Sequence, residues 1–152
     1  MIDPYKSMLT NFVDGVEVPG GITLIITGNR PIETIAAESD RWVAIDGRPI
    51  DLGKGYPVNL MPMVSEKYST ILGWTTTFGT KSPRNILKVQ DFVTKVQSEG
   101  RLTRLWKIPE KVEAWNWLTY HGIDLLNTDN LPKLHDYLRS AQSTPSFAKK
   151  PK

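Results

Sequence analysis

The chain has 152 residues, of which 39% are apolar and 23% charged, a balance that is ordinary for one globular domain. Its formal charge of +3 does not indicate a nucleic-acid partner, because three lysines lie among the last four residues and the rest of the chain carries 16 basic and 16 acidic residues. The sequence has no cysteine, no apolar run near the ~20 residues of a membrane span and no signal peptide at its start, which excludes a disulfide framework, a Cys-based zinc site and a membrane-spanning segment.

The first segments predict a helix and then a strand. Apolar side chains recur at helical spacing in residues 4–13, and Asp14-Gly15 follows them as a stop signal. Because no strand precedes this helix, we expect it to be the helix that follows a missing strand. Residues 22–27 form an apolar, β-branched run, which predicts a strand buried on both faces.

Two polar loops follow the first two predicted strands. Gly28-Asn29-Arg30-Pro31 comes after the first strand, and Asp46-Gly47-Arg48-Pro49 comes after a strand at residues 41–45. Turn formation explains both loops. The alternative is that these side chains project from the carboxyl ends of parallel strands, where barrel active sites are built. In that case Arg30 suits a phosphate, and Asp46 and Arg48 pair with each other or face a ligand.

The middle of the chain predicts a third strand and a long helix. The strand covers residues 60–64 and ends at Ser65, which either caps a segment at residues 67–72 or lines the mouth of the sheet. Residues 74–81 are rich in threonine and glycine and predict an exposed loop. Ser82-Pro83 begins a helix that ends at Gly100.

Residues 101–138 predict strand, helix, strand and helix, and therefore a parallel sheet. The first strand ends in Trp106, which either packs in the core or forms an apolar wall of a ligand pocket. The last strand covers residues 123–126. Asn127 and Asp129 follow it and either cap the next helix or bind phosphate. Residues 141–152 lose all periodicity and predict a disordered basic tail.

Four motifs carry a family resemblance. Trp106 with Pro109 three residues later, followed by GIDLLNTDNL at residues 122–131, resembles the last two βα units of the phosphatidylinositol-specific phospholipase-C-like and glycerophosphodiester phosphodiesterase superfamily. ITLIITGNRP, RWVAIDGRPIDL and MPMVSE are similar, in that order, to the middle of bacterial members. A complete (β/α)₈ TIM barrel needs about 250 residues. The resemblance therefore implies a partial barrel in residues 1–140, with five parallel strands, equivalent to strands four to eight, and flanking helices.

The resemblance also implies an activity. Family members hydrolyse phosphodiesters of glycerol- or inositol-containing lipids, with histidines as general acid and base and a divalent cation, calcium or magnesium, held by carboxylates. Those residues come mainly from the first strands, which this chain lacks. His121 and His135 are its only histidines, and neither follows a predicted strand. We therefore assign no catalytic residue and no metal ligand, and we expect the chain alone to be inactive and to bind no cation.

Because the catalytic residues are expected outside this chain, the resemblance implies that the chain contributes to ligand binding. The partner it implies is a small-molecule phosphodiester or a lipid head group, and the location it implies is exported, either periplasmic or secreted. The alternative is a non-catalytic α/β module that binds a phosphorylated or sugar ligand or a partner protein. Five parallel strands without barrel closure leave two open edges, so we expect self-association through them unless something covers these edges. The candidate binding residues are Asn29, Arg30, Asp46, Arg48, Ser65, Trp106, Asn127 and Asp129.

Overall fold

The structure, a computed structural model, describes residues 3–73 and 82–142. Its elements form an α/β fold in which short strands alternate with helices over most of the chain. In chain order they are a 3-10 helix (Asp3–Met8), β1 (Asn11–Val13), β2 (Val16–Val18), β3 (Leu24–Ile26), α1 (Ile32–Ala36), β4 (Asp40–Arg41), β5 (Val43–Gly47), a second 3-10 helix (Pro49–Asp51), β6 (Met63–Lys67), α2 (Tyr68–Leu72), α3 (Pro83–Ser98), β7 (Leu102–Trp106), α4 (Val112–Tyr120), β8 (Leu125–Leu126) and α5 (Leu131–Gln142).

A curled five-stranded sheet forms the centre of the fold. Its strand order is β3-β5-β6-β7-β8, and every neighbouring pair is parallel. Strands that are adjacent in the sheet are thus consecutive in the chain, apart from the short β4. The reason is that each crossover connection passes over the same face of the sheet. The predicted α/β fold with five parallel strands and flanking helices is confirmed.

The main core lies between this sheet and the helices. Val64 of β6 and Leu105 of β7 are fully buried against a cluster from α3, α4 and α5. On the same face of the sheet, towards its β3 edge, Ile45 of β5 packs against α1 and the loop before β6. Since successive side chains in a strand point to opposite faces, the residues next to these apolar ones face away from the helices. In the core the main members are Val89, Val93, Val96, Trp115, Leu118 and Tyr137.

The helix predicted at residues 4–13 is wrong. Only Asp3–Met8 is helical, as a 3-10 helix, and β1 pairs antiparallel with both β2 and β4 in a separate three-stranded sheet. Asp14 and Gly15 both have positive φ angles, 49° and 78°, so this pair forms a hairpin turn instead of ending a helix. Phe12 is buried because the Arg41 guanidinium lies over its ring at 3.9 Å. The inference of a helix after a missing strand therefore loses its basis.

The first parallel strand is also less enclosed than predicted. Leu24–Ile26 are half-buried and Ile22 is exposed, whereas the sequence predicted burial on both faces. Residues 8–10 run beside the start of this strand, where the Thr10 N–H donates to the Ile22 carbonyl at 2.8 Å and the Ile22 N–H donates to the Met8 carbonyl at 2.9 Å. Beyond this point, β3 and β8 each pair with one strand among the described residues.

Two other boundaries differ from the sequence prediction. The third strand is Met63–Lys67, not residues 60–64, because the Leu60 and Met61 N–H groups both donate to the Pro57 carbonyl in a turn. Helix α5 continues to Gln142, so the predicted tail begins too early. Residues 143–152 and the loop predicted at residues 74–81 lie outside the described residues. Within the described ranges, no helix is both long enough and apolar enough to cross a membrane.

Substitution of Gly20 tests how closely the backbone of Leu9 approaches this glycine. A Cβ atom at Gly20 would lie 2.5 Å from the Leu9 carbonyl oxygen and also overlap the carbonyl carbon, so Gly20→Ala must displace backbone. We expect it to lower the free energy of unfolding by about 1–3 kcal/mol in urea denaturation. Gly21→Ala is the matched control, because its Cβ would lie 3.7 Å from the nearest atom, the Met8 carbonyl oxygen. Equal stability of the two variants would contradict the close approach of Leu9 to Gly20.

Candidate functional site

One polar side chain from each strand of the parallel sheet, or from the residue just after it, forms a continuous row. The Thr27 hydroxyl donates to Asp46 Oδ2 at 3.0 Å. Arg104 Nη1 lies 3.9 Å from the same oxygen and donates to Ser65 Oγ at 3.4 Å, and Arg104 Nη2 donates to Asn127 Oδ1 at 3.4 Å. We call these five residues the polar row.

The register of the strands explains the row. Ser65 pairs directly with Arg104, while their neighbours Val64 and Leu105 face the helices. Strand alternation therefore turns Ser65 and Arg104 to the opposite face of the sheet. The row lies towards the carboxyl ends of the strands, the edge at which parallel α/β folds bind ligands.

The row contains one carboxylate and one guanidinium, so its formal charges cancel. Asp46 and Ser65 are buried, and the Arg104 side chain keeps 29% of its surface exposed. The three contacts of Arg104 measure 3.4, 3.4 and 3.9 Å, at or beyond the long limit of a hydrogen bond. Arg104 is thus the charged member of the row that is partly exposed and loosely held.

One oxygen of Asp46 has no partner among residues 3–73 and 82–142. This atom, Oδ1, is buried and accepts no hydrogen bond from them, although Oδ2 is bonded to Thr27. Leaving a buried acceptor unpaired costs about 1–3 kcal/mol, and more for a charged group. Such an atom calls for an explanation, and an ordered water, an ion or a catalytic role are the usual ones.

An aromatic and cationic rim lies beyond the row. Trp106 is half-buried and two residues after Arg104 on the same strand, so both side chains share a face. Lys67 pairs with Trp106 across the sheet, and its Nζ lies 6.0 Å from the centroid of the ring. Lys107 Nζ lies 5.8 Å from the same ring, in a residue with a φ of 53°. We call Lys67, Trp106 and Lys107 the rim.

The two predicted arginines, Arg30 and Arg48, mainly stabilise the loops by hydrogen bonds to backbone carbonyl groups. Arg30 donates to the backbone carbonyl of Asp46 at 3.0 Å and to Asp51 Oδ2 at 2.5 Å, with only 10% of its side chain exposed. Its charge is therefore balanced by Asp51. Arg48 is exposed and donates to the Gly28 carbonyl at 3.0 Å, so it does not form the pair with Asp46 that the sequence suggested.

The remaining candidates divide between the row and the loops. Ser65 lies inside β6, and the N-cap position before α2 is occupied by Lys67, so Ser65 lines the row instead of capping a helix. Asn29 is exposed in its loop. Asp129 is exposed, and its N–H donates to Glu110 Oε1 at 2.8 Å. The cap of α5 is Asn130, whose Oδ1 accepts the Lys133 N–H at 3.1 Å.

Sequence reasoning missed Thr27 and Arg104. Thr27 is the last residue of the strand predicted at residues 22–27. Its position immediately before Gly28 does not mark it as a binding residue. Arg104 stands in the middle of the apolar strand Leu102–Trp106, where a charged residue is a signal in itself. It links Asp46, Ser65 and Asn127, three of the predicted binding residues, into one site.

The histidines lie away from the row. His121 follows α4, and its ring packs against Trp117 at 4.3 Å between centroids. His135 is exposed on α5, near Asp136 and Arg139. In residues 3–73 and 82–142 no three His, Asp or Glu side chains lie close enough to share a metal ion. The row supplies one carboxylate, beside a guanidinium, so the described residues do not fit a divalent cation site, and we derive no step through a cation.

Comparison with known proteins gives one distant relative. No protein-family model and no solved structure matches the chain. A stretch of 127 residues is 24% identical to a fungal protein of Arthroderma benhamiae named Altered inheritance of mitochondria protein 6 homolog. The match covers 79% of this chain and 40% of that protein. The chain thus spans less than half the length of this relative, whose name specifies no chemistry.

Proposed function

We propose that this chain is the C-terminal part of a phosphoric diester hydrolase of the phospholipase-C-like superfamily, acting on glycerophosphodiester or phosphoinositide-type lipids. The observation that carries the proposal is the polar row, to which all five parallel strands contribute. In a (β/α)₈ barrel the active site is built at this edge, from the ends of several different strands. The sequence stretches that resemble the superfamily include these strand ends, and this supports the proposal.

The proposal also includes a fold, a partial (β/α)₈ barrel. Five parallel strands in chain order, with helices on one face, are what five consecutive strands of a (β/α)₈ barrel would look like. We propose that β3, β5, β6, β7 and β8 correspond to barrel strands four to eight. The open edges of β3 and β8 would then receive the remaining strands, and without them the chain would associate with itself.

Each part of the site has a role in binding. The row holds the head group by hydrogen bonds, Trp106 offers an apolar wall, and Lys67 and Lys107 offset the negative charge of the phosphate. General acid and base and the divalent cation, calcium or magnesium, belong to the part of the enzyme outside this chain. By this proposal the chain alone binds the ligand but does not hydrolyse it. The protein would also be exported, as the resemblance implies.

An assay with glycerophosphoinositol and glycerophosphocholine, in the presence of Ca²⁺ or Mg²⁺, tests the function. We expect saturable binding by calorimetry and no release of alcohol or phosphate monoester. Trp106→Ala should raise the dissociation constant about tenfold, since an aromatic wall contributes roughly 1–3 kcal/mol by stacking-type contacts. Tyr120→Ala, which removes an exposed aromatic ring from α4, should leave binding unchanged.

Two results would count against this function. One is the absence of binding to either diester. The other is turnover that disappears in His121→Ala or His135→Ala, because those residues lie on or after helices and away from the row. Such turnover would place the chemistry elsewhere in the chain.

The second candidate is a non-catalytic α/β module that binds a phosphorylated or sugar ligand or a partner protein. The observation that favours it is that the described site has a single carboxylate and no histidine. Light scattering over a concentration series, with a thermal melt, separates the two. A monomer with a cooperative melt favours the module, and a dimer or larger species favours a hydrolase that lacks its other strands.

A further inference from the structure

We infer that a groove on the outer side of α3 binds an amphipathic helix of a partner protein, with leucine-type side chains on one face and carboxylates on both sides of that face. The groove lies between α3 and the 3-10 helix Pro49–Asp51, and we call it the α3 groove. It lies on the helix-covered face of the sheet, while the polar row lies on the other face. Binding of this partner is therefore independent of the proposed function.

The groove is a gap in the layer of helices. The connections from β3 to β5, from β6 to β7 and from β7 to β8 contain α1, α3 and α4, whereas the connection from β5 to β6 contains the 3-10 helix Pro49–Asp51 and no α-helix. The space left beside α3 has a volume of about 580 Å³. Helices normally cover the apolar face of a sheet, so a further helix can cover the core at this gap.

The floor of the α3 groove is apolar and continues into the main core. Phe92 is buried, and Leu52 and Ile71 are half-buried against the same cluster of core residues. Pro49 completes this floor. Apolar side chains of a partner would therefore extend an existing core, which is the arrangement in which interface contacts contribute most to affinity.

Two exposed aliphatic residues flank this floor. Ile50, which follows the lining residue Pro49, is 73% exposed. Leu87, one helical turn before the lining residue Asp91, is 65% exposed. Single exposed apolar side chains are ordinary on a protein surface, but a pair on the two sides of an apolar groove indicates an interaction surface wider than the groove.

The lining of the groove leaves a positive charge unbalanced. Both acidic residues of the lining are paired, Asp91 with Lys95 at 2.8 Å and Glu99 with Arg101 at 2.9 Å. Lys88 also lines the groove and makes no hydrogen bond or ion pair with the described residues. A carboxylate of a partner is the group that this lysine can bind.

Further positive charge lies on both sides of the groove. Lys54 lies 3.6 Å from Asp51, but Arg30 pairs with the same carboxylate, so two cations share one negative charge. On the opposite side, Arg84 lies one helical turn before Lys88 and likewise has no partner in the part of the chain that the structure describes. Charge complementarity therefore favours an acidic partner with carboxylates on both sides of its apolar face.

The shape of the groove favours a helix as the bound element. Its α3 residues recur every three or four positions from Lys88 to Glu99, so one face of α3 forms a wall that is about 16 Å long. An extended peptide would need backbone hydrogen-bond partners, and the backbone groups within α3 are bonded inside the helix. A helix satisfies its own backbone and reaches a groove with side chains at the same spacing.

The described helices of this chain do not fit that description. α3 and α5 each contain more basic than acidic side chains, and α4 has its apolar face in the main core. A second copy of the chain therefore offers no acidic amphipathic helix from its described residues, and the partner is a different protein.

Two synthetic helical peptides, each about four turns long, test the inference. Both have leucine at every third or fourth position, and the other positions are glutamate in one peptide and lysine in the other. Fluorescence anisotropy with the intact chain should show saturable binding of the glutamate peptide and about tenfold weaker binding of the lysine peptide. Ile50→Ser and Leu87→Ser should each raise the dissociation constant of the glutamate peptide about fivefold or more, and Lys88→Glu should reduce the difference between the peptides.

Leu131→Ser and Lys111→Glu are the matched controls. Leu131 on α5 is 73% exposed, like Ile50, and Lys111 is an exposed lysine just before α4. Both variants should bind the glutamate peptide like the original chain. Because all the substituted side chains are exposed, every variant should keep the thermal melt of the original chain. Trp106→Ala, which changes the proposed diester site, should also leave peptide binding unchanged.

Several results would overturn the inference. They are the absence of binding by the glutamate peptide, equal affinity for both peptides, and an affinity that the groove variants leave unchanged. Light scattering tests a second copy as the occupant, because a dimer that Leu87→Ser converts to a monomer would show that the groove binds another copy of the chain. Decanoate tests a small amphiphile, and its binding without binding of the peptide would equally contradict a partner helix.

Discussion

Replacing Asp51 with alanine is expected to lower the free energy of unfolding by about 3–5 kcal/mol, the usual cost of removing one partner from a buried ion pair. The Asp51 side chain is 3% exposed and its Oδ2 accepts hydrogen bonds from Arg30 Nη1 at 2.5 Å and from the Arg48 N–H at 2.9 Å. Without it, the Arg30 guanidinium stays buried, and the Asp46 carbonyl is the one hydrogen-bond partner that the described residues still offer it. Urea denaturation followed by circular dichroism measures the loss.

A carboxylate on the surface provides the control for Asp51. Asp91 pairs with Lys95 one helical turn away, and both side chains are more than 60% exposed, at 63% and 64%. Such exposed pairs contribute about 0.3–0.5 kcal/mol, so Asp91→Ala should be nearly neutral. If Asp51→Ala were equally mild, Arg30 and Asp51 would not be a buried pair in solution.

The same carboxyl group gives the fold a dependence on acid. Burial alone would raise the pKa of Asp51, but the hydrogen bonds from Arg30 and from the Arg48 N–H, with the charges of Arg30 and Lys54, outweigh it and hold the pKa below its usual value. A carboxyl with a lowered pKa in the folded state stabilises the fold above its unfolded pKa, near 4, and loses this effect as the pH falls through the folded pKa.

We therefore expect the free energy of unfolding to fall as the pH drops below about 4, and to fall less steeply in Asp51→Asn, which has no proton to take up. Urea denaturation at a series of pH values measures both slopes. An identical slope in the two proteins would show that the pKa of Asp51 is not lowered by folding.

Replacing Trp115 with alanine should lower the free energy of unfolding by about 3–5 kcal/mol, the range for large aromatic side chains in a core. Trp115 is fully buried, and its ring centroid lies 5.3 Å from that of Tyr137 on α5. The substitution would leave a cavity between α4, α5 and the sheet. Urea denaturation followed by far-ultraviolet circular dichroism measures the change.

Trp115→Phe separates packing from hydrogen bonding. The Trp115 indole N–H is buried without a hydrogen-bond partner in the described part of the chain, so phenylalanine removes an unpaired donor while keeping an aromatic ring. We expect a clearly smaller loss than for alanine. A loss below about 1 kcal/mol in Trp115→Ala would contradict tight packing of α4 and α5 on the sheet.

Much of the second half of the fold could be read from local patterns. The strand predicted at residues 102–106 is observed as Leu102–Trp106, and the helix predicted from Ser82-Pro83 to Gly100 is observed as Pro83–Ser98. Here the apolar period, the proline at the helix start and the glycine at its end all agree, so no tertiary contact has to overrule them. Polar residues after apolar runs likewise marked Asp46, Ser65 and Asn127.

The first segment shows where such patterns fail. Apolar residues spaced four apart fit a helix, but Phe12 and its neighbours instead form a strand because the Asp14-Gly15 turn brings β2 beside β1 and Arg41 covers the Phe12 ring. Both partners lie outside the segment. The spacing of apolar residues within one segment carries no information about contacts with residues that are distant in the chain.

The sequence by itself determined the class of the fold, the parallel order of its strands and three members of the polar row, because these follow from periodicity and from the geometry of βα units. Only the tertiary structure decided how the polar groups pair. It joined Arg30 to Asp51 and brought Arg104 close to Asp46, whose Oδ1 has no donor in the part of the chain that the structure describes. The approach of Arg104 to Asp46 depends on the lateral register of β5, β6 and β7, which brings residues tens of positions apart in the chain to 3.9 Å from each other.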